Sequence, residues 1–221
     1  SYGDYFHLIM GKTPGEEQQI ALDLLTTNET YFFREPRHFD FLRSQVLGKP
    51  LSGRPFRLWS AASSTGEEVY TLAMVLAESL PKNQWEVVGS DISTQVLGKA
   101  AKGHYPLARN EGIPTALMSK YCLKGVRSQA GTFLISPELR QKTRFQQVNL
   151  TLPIAADLGE FDVIFLRNVM IYFDMDTKRK VVANLLPRLK RGGYLLVGHA
   201  ETLNGISTAL EIIQPTVYRK P

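Results

Sequence analysis

Residues 56–68 constrain the fold most, because the pattern there changes from strand to helix across a turn of small residues. Phe56, Leu58 and Trp59 are apolar, and residues 61–66 contain no side chain larger than threonine. Beyond the turn, apolar residues recur at three- and four-residue steps, as on the buried face of a helix. A strand, a glycine turn and a helix in this order open the ligand crevice of many α/β domains.

The start of this helix also indicates which cofactor the crevice favours. Glu67 and Glu68 stand in the first turn, where a phosphate-binding loop leaves a partly positive helix N-terminus. Two carboxylates repel a diphosphate, and the chain has neither a Rossmann glycine fingerprint nor a P-loop lysine. S-adenosylmethionine, which is cationic and carries a ribose, therefore fits better than NAD, FAD or ATP. Thr65 and Glu68 also match a capping box, so the turn alone leaves a purely structural interpretation open.

The composition excludes several classes of function. A single cysteine, Cys122, excludes an internal disulfide framework and favours a cytoplasmic location. The net charge of +5 favours acidic partners, but the chain lacks the basic and aromatic alternation that reads single-stranded nucleic acid. No apolar run is long enough for a membrane span. The four histidines show no ligand spacing, so the sequence predicts no metal site.

Strand and helix patterns then alternate along the chain, which predicts a mostly parallel sheet. A near-continuous apolar run, as at 161–166, is typical of a buried parallel strand. Further strands are predicted at 85–89, 144–148 and 194–197, helices at 94–102 and 176–189, and a terminal hairpin at 211–214 and 216–219.

Residues 104–142 interrupt this alternation and predict an inserted antiparallel β subdomain. They contain three prolines and a hairpin pattern in which 121–124 and 132–135 flank a glycine-bounded loop. The edge strands of such a subdomain could accept a partner peptide by strand addition. A purely structural flap explains the pattern equally well.

Asp91 and Arg34 are the charged residues whose positions suggest ligand contacts. Asp91 lies just beyond the carboxyl end of the predicted strand 85–89. At this position, an acidic residue holds the ribose diol in doubly wound folds. Arg34 follows a polar and aromatic segment, residues 26–33, that leads into a helix beginning near Pro36. By themselves, the two residues also fit a turn aspartate and a solvated helix charge.

Five stretches together closely resemble the chemotaxis receptor methyltransferases, the CheR family. The stretches, in chain order, are 26–35, 59–68, 90–94, 165–173 and 197–201. Two departures from the usual family pattern, Ser63 and Ala200, lie at positions whose side chains the chemistry does not need. The resemblance covers about Tyr2 to Lys220.

The resemblance implies a Rossmann-like class I methyltransferase sheet, parallel with an antiparallel terminal hairpin, and the small inserted β subdomain at about 104–142. It implies that residues 1–25 are the remaining helix of an N-terminal helical domain and that 26–221 form the S-adenosylmethionine-dependent domain. In some members of the family, the β subdomain docks a peptide from the receptor C-terminus. Whether residues 121–136 do so here is left open by the sequence.

The resemblance also implies which residues surround the cofactor. Arg34 and Tyr172 are expected to be catalytic, with Tyr172 near the transferred methyl group. Asp91 takes the ribose hydroxyls, and Asn149 and Leu150 flank the adenine. The cofactor-binding set carried over from the family motifs is Asn28, Thr30, Arg34, Glu68, Asp91, Asn149, Leu150, Asn168 and Val169.

The activity implied is transfer of a methyl group from S-adenosylmethionine to glutamate side chains of chemoreceptor cytoplasmic helices. A carboxylate is ionised at neutral pH, so this reaction needs no strong general base. A second hypothesis is a methyltransferase of the same fold acting on another acidic protein or on a small carboxylic acid. A third is a non-catalytic module, against which the presence of Arg34, Glu68, Asp91 and Tyr172 argues.

Overall fold

A computed structural model describes residues 15–48, 53–82 and 84–221. Residues 1–14 of the helical segment expected over 1–25 lie outside these residues. The helices are α1 (Glu16–Leu25), α2 (Arg37–Phe41), α3 (Glu67–Ser79), α4 (Thr94–Lys102), α5 (Thr115–Tyr121), α6 (Pro137–Arg140) and α7 (Met175–Leu185). The strands are β1 (Phe56–Ser60), β2 (Trp85–Asp91), β3 (His104–Pro106), β4 (Cys122–Lys124), β5 (Thr132–Ile135), β6 (Thr143–Gln147), β7 (Phe161–Leu166), β8 (Leu189–Val197), β9 (Glu211–Gln214) and β10 (Val217–Arg219).

Seven strands form one sheet in the order β6-β2-β1-β7-β8-β10-β9. The first five run parallel. The last strand, β10, runs antiparallel between β8 and β9. The predicted mixed sheet with a terminal hairpin is therefore confirmed, and the hairpin places its second strand, rather than its first, against the parallel part.

The sheet is buried on both faces because helices cover each side. On one face, α3 packs Leu72 and Leu76 into a core with β1 and β2, and on the other, α7 contributes Val181 and Leu185. These side chains are at most 1% exposed, and burial of each contributes about 1.5–3 kcal/mol. The near-continuous apolar run of β7 results from this two-sided burial.

The inserted subdomain is a three-stranded antiparallel sheet in the order β3-β5-β4. The sequence predicted β4 and β5 but missed β3, which has only three residues and includes Pro106. Tyr105 of β3 packs edge-on against Phe32, with ring centroids 5.2 Å apart, and its hydroxyl donates to the Thr65 carbonyl at 2.7 Å. The subdomain therefore contacts the segment that precedes β1 and also the turn that follows it.

Three predicted elements differ from the structure in their extent. The helix expected over 176–189 ends at Leu185, and a 3-10 turn follows because Pro187 lacks the N–H that would continue it. The strand expected at 194–197 begins at Leu189, so Gly192 and Gly193 lie inside β8 at an irregularity in its pairing with β7. The helix expected after Pro36 is also short, and a π-helical turn over Leu42–Val46 replaces its second half.

Candidate functional site

A crevice of about 370 Å³ opens at the carboxyl ends of the parallel strands, the usual ligand position in open α/β sheets. Its volume lies in the range of small-molecule sites. All ten residues expected around the cofactor line it: Asn28, Thr30, Arg34, Glu68, Asp91, Asn149, Leu150, Asn168, Val169 and Tyr172.

The turn after β1 brings backbone close to this crevice. Gly66 adopts φ +95°, and a Cβ there would lie 2.8 Å from the Ala100 Cβ, so only glycine fits. The capping box expected from Thr65 and Glu68 is not formed. Gly66 occupies the N-cap position without a side-chain hydrogen bond, and the Thr65 hydroxyl instead donates to Glu67 Oε2 at 2.6 Å. Glu67 is 1% exposed and is not among the residues that line the crevice.

Asp91 is held at the end of β2 by two backbone donors. The Ser64 amide donates to Oδ2 at 2.9 Å and the Ser93 amide donates to Oδ1 at 3.0 Å. Burial raises the pKa of Asp91, and these backbone hydrogen bonds offset only part of that effect. Each carboxylate oxygen keeps further lone pairs for a ligand hydroxyl.

The segment before α2 crosses the crevice and carries Arg34. Phe33 adopts the left-handed φ of +57°, and its amide donates to the Thr71 hydroxyl at 3.1 Å. Arg34 donates to the Glu29 carbonyl at 2.9 Å and lies over the Tyr31 ring. Among the described residues, no carboxylate lies within ion-pair distance of Arg34, which leaves its charge available to an anionic substrate.

Arg167 is a crevice residue that received no role from the sequence. It is 5% exposed, and its Nε lies 3.4 Å from carboxylate oxygens of both Glu35 and Glu68. Its guanidinium also donates to the Arg34 carbonyl. Burial raises the pKa of Glu68, although Arg167 and the Ser60 hydroxyl oppose that shift. The sequence offered one signal for the role of Arg167, because this charged residue directly follows an apolar buried strand.

Glu201 fixes the loop that follows β7. Its carboxylate accepts hydrogen bonds from the amides of Asn168, Met170 and Gly198, at 2.7–2.9 Å. Asn168 adopts φ +57° in this loop. The stretch 197–201 carried part of the family resemblance, yet its role depends on contacts with residues distant in the chain.

The expected residues that follow β6 and β7 differ in exposure. The Asn149 Oδ1 accepts from the amide and hydroxyl of Thr151, at 3.0 and 2.7 Å, which orients its side chain beside the buried Leu150. Tyr172 also lines the crevice and is 58% exposed. A ligand would therefore be more enclosed beside Leu150 than beside Tyr172.

The lining suits a cationic nucleoside better than a nucleotide. It combines the carboxylates of Glu68 and Asp91 with aromatic and amide side chains, and of its two arginines, Arg167 is already paired with Glu35 and Glu68. Carboxylates accept hydrogen bonds from ribose hydroxyls and from an amine, and two of them would repel a diphosphate. The residues present therefore fit S-adenosylmethionine.

Comparisons with known proteins agree with this fit. A family model described as "CheR methyltransferase, SAM binding domain" matches residues 28–219. Chemotaxis protein methyltransferase 2 of Pseudomonas aeruginosa is 41% identical, over 99% of this chain and 78% of that protein. The chemotaxis protein methyltransferase of Escherichia coli is 36% identical, over 98% of this chain and 76% of its own length.

A solved structure supports the fold. The N-methyltransferase NodS from Bradyrhizobium japonicum, in complex with S-adenosyl-L-homocysteine, has a TM-score of 0.51 to this chain. The match covers 92% of this chain and 97% of NodS at 14% sequence identity. No helix among the described residues is both long enough and apolar enough to span a bilayer.

Proposed function

This chain belongs to the CheR family of S-adenosylmethionine-dependent methyltransferases, and we propose that it methylates glutamate side chains on the cytoplasmic helices of chemoreceptors. Arg34 is the observation that carries the proposal, because it lines the crevice without a carboxylate partner among the described residues. A glutamate entering beside Tyr172 would find this guanidinium as its counter-charge. The reaction would take place in the cytoplasm.

The reaction requires the protein to position the substrate carboxylate against the methyl group and to exclude water. When bound, S-adenosylmethionine supplies an electrophilic methyl group on a sulfonium. A substrate carboxylate oxygen bonds to that carbon as the carbon–sulfur bond breaks, so no proton has to be removed. The described crevice lining contains neither histidine nor cysteine, which suits a nucleophile that is already ionised. Arg34 would orient the carboxylate, and Tyr172 would cover the reacting end.

The surface beside the opening favours a protein substrate over a small acid. Tyr31, Ile171, Tyr172 and Met175 are between 44% and 58% exposed there. Exposed apolar side chains grouped next to a site are typical of a docking surface. A substrate helix with glutamates on one face and apolar residues on the adjacent face would complement both Arg34 and this apolar surface.

The wider organisation follows from the same proposal. Residues 26–221 would be the methyltransferase domain, with the insertion at about 104–142, and residues 1–25 the connection to a helical domain. In support, α1 lies against the catalytic body, where Gln19 donates to the Ile92 carbonyl at 3.2 Å. The exposed edges of β3 and β4 would be the place for a receptor peptide.

The test is incubation with methyl-labelled cofactor and receptor-containing membranes. We expect label that mild base releases as methanol, as from a glutamate methyl ester. The control is the same receptor with its methylated glutamates replaced by glutamine, which should remain unlabelled. Base-resistant label, or equal label on the control receptor, would contradict the proposal.

Replacing Asp91 with alanine should weaken cofactor binding by about 1–3 kcal/mol, because charge-assisted hydrogen bonds to the ribose are lost. Affinity for S-adenosylhomocysteine should also fall as the pH is lowered through the raised pKa of Asp91. That fall should begin at a higher pH than for an ordinary aspartate, because protonation removes the acceptor charge. Calorimetry between about pH 7 and 4.5 measures both effects, and the Asp91→Asn variant should give a flatter profile.

Replacing Arg34 with alanine should lower turnover by about 10–100-fold and change cofactor affinity much less, because the side chain is assigned to the substrate carboxylate. Arg109→Ala is the matched control. Arg109 donates to the Thr30 carbonyl at 2.9 Å, in the same segment, but does not line the crevice. Equal losses of turnover and cofactor affinity in Arg34→Ala would make Arg34 a cofactor-binding residue only.

A further inference from the structure

Glu35, His38 and His199 form a cluster of ligand-type side chains beside the crevice. One atom from each lies within 4.8 Å of the others. Glu35 Oε2 is 3.4 Å from His38 Nδ1 and 3.9 Å from His199 Nε2. Glu35 precedes α2 and His38 lies in its first turn, whereas His199 follows β8. The spacing of histidines along the sequence could therefore not reveal the cluster.

The hydrogen bonds around His38 suit a metal ligand. The Thr216 hydroxyl donates to the Pro215 carbonyl at 2.6 Å, and its oxygen lies 2.8 Å from His38 Nε2. A neutral imidazole with its hydrogen on Nε2 donates to that oxygen and keeps the lone pair of Nδ1 for a cation.

Two buried polar atoms of the cluster lack a hydrogen-bond partner. They are His38 Nδ1 and Glu35 Oε2, which lie 3.4 Å apart, and neither has a partner among the described residues. Burial of unpartnered polar atoms is unfavourable. A cation between the two atoms would relieve that penalty.

We propose that Glu35, His38 and His199 bind a divalent transition-metal ion, with Zn²⁺ as the best fit. Two imidazole nitrogens and one carboxylate oxygen are a common three-residue donor set for Zn²⁺, with water as the fourth ligand. His199 is 48% exposed, so the ion has a route from solvent and that water has room. The proposal concerns binding and does not depend on the substrate assigned above.

Arg167 limits the affinity of this site. Its Nε lies 3.4 Å from Glu35 Oε2, and a cation there would compete with the guanidinium for that carboxylate. Glu68, at the same distance from Arg167, remains as its partner. The site therefore suits a reversible, regulatory ion rather than a permanent structural one.

Binding at this site would reach the crevice through Glu35. The other oxygen of Glu35 accepts from the Asn168 side-chain amide at 3.3 Å and from the His199 backbone amide at 3.2 Å. An ion that holds Glu35 in place would thus fix Asn168, which lines the crevice, and would leave Arg167 more strongly paired with Glu68. Zn²⁺ should therefore change the affinity for S-adenosylhomocysteine.

The test is a titration of the tag-free, chelator-treated full chain with Zn²⁺ against a chromogenic chelator. We expect one saturable site per chain, weakened at least about tenfold in both His199→Ala and Glu35→Gln. The control variant combines His7→Gln, His104→Gln and Cys122→Ser, which removes the other histidines and the cysteine. It should bind Zn²⁺ as the unmodified chain does.

A Co²⁺ titration supplies a second readout. Visible absorption typical of a four-coordinate site should appear with the unmodified chain and disappear in His199→Ala, whose fold circular dichroism verifies. Equal Zn²⁺ affinity in His199→Ala and the unmodified chain, or loss of binding in the control variant, would overturn the proposal. Absence of saturable binding would also overturn it and would assign the Glu35–His38 contact to a shared proton.

Discussion

Replacing Glu201 with glutamine should destabilise the protein by about 2–4 kcal/mol, which corresponds to a fall in Tm of about 5–15 °C. The Glu201 carboxylate accepts three backbone amides, those of Asn168, Met170 and Gly198. A glutamine has only one acceptor oxygen, and its amide group would point donors at donors. At least one buried N–H would lose its partner.

The same substitution should also impair the crevice beyond its effect on stability. Asn168 adopts φ +57°, an unfavourable conformation for which the bond to Glu201 compensates. Without that bond, the loop should relax and withdraw Asn168 and Val169 from the cofactor. Cofactor affinity, measured well below the lowered Tm, should fall by about tenfold or more.

Glu211→Gln is the matched control, since Glu211 lies exposed on β9 and receives the same chemical change. It should alter neither Tm nor affinity. If Glu201→Gln lost stability but retained full cofactor affinity, Glu201 would support the fold without positioning the site.

Replacing Gly66 with alanine is expected to destabilise the protein by about 2–5 kcal/mol. The positive φ of +95° contributes about 1–2 kcal/mol, and crowding contributes about 1–3 kcal/mol. The added Cβ would lie 2.8 Å from the Ala100 Cβ and 3.0 Å from the Tyr105 hydroxyl. Ala100 belongs to α4 and Tyr105 to the inserted sheet, so neither can move without disturbing its own packing.

Gly131→Ala separates the two contributions, because Gly131 has φ +82° and no atom within 4 Å of the added Cβ. It should show only the smaller backbone effect in denaturant unfolding. Gly66→Ala should in addition weaken cofactor binding, since the same turn carries the Ser64 amide that holds Asp91. Equal destabilisation in the two variants would show that crowding at Gly66 is negligible.

Most strands of the central sheet could be predicted from the sequence, because their positions rest on local signals. The apolar run of β7 and the helix 94–102 were predicted with the bounds that the structure has. Ser93 caps that helix, because its hydroxyl oxygen accepts from the Val96 amide at 3.3 Å. These features are determined by neighbouring residues and by burial on both faces.

Features that depend on distant contacts escaped prediction. β3 includes Pro106 and begins directly after the residue that ends α4, and it exists because β5 pairs with it. The roles of Arg167 and Glu201 come from partners far away in the chain. Glu68 illustrates the limit well: its position in the crevice was expected, but its pairing with Arg167 and its raised pKa depend on the assembled fold.

The left-handed conformations around the crevice share this dependence on assembly. Phe33, Glu35, Ser64 and Asn168 all have positive φ, and none is glycine. Isolated segments would rarely hold such angles, because L-residues disfavour them, asparagine less than the others. A family motif can identify these residues, but only tertiary contacts explain their left-handed backbone conformation.

The contact between Arg34 and Arg167 has a consequence for the order of folding. The two residues lie 133 positions apart in the chain, whereas β1, α3 and β2 follow one another closely and can pair early. The crevice is complete only after this long-range contact has formed, so cofactor cannot assist the early steps and can only trap the assembled fold.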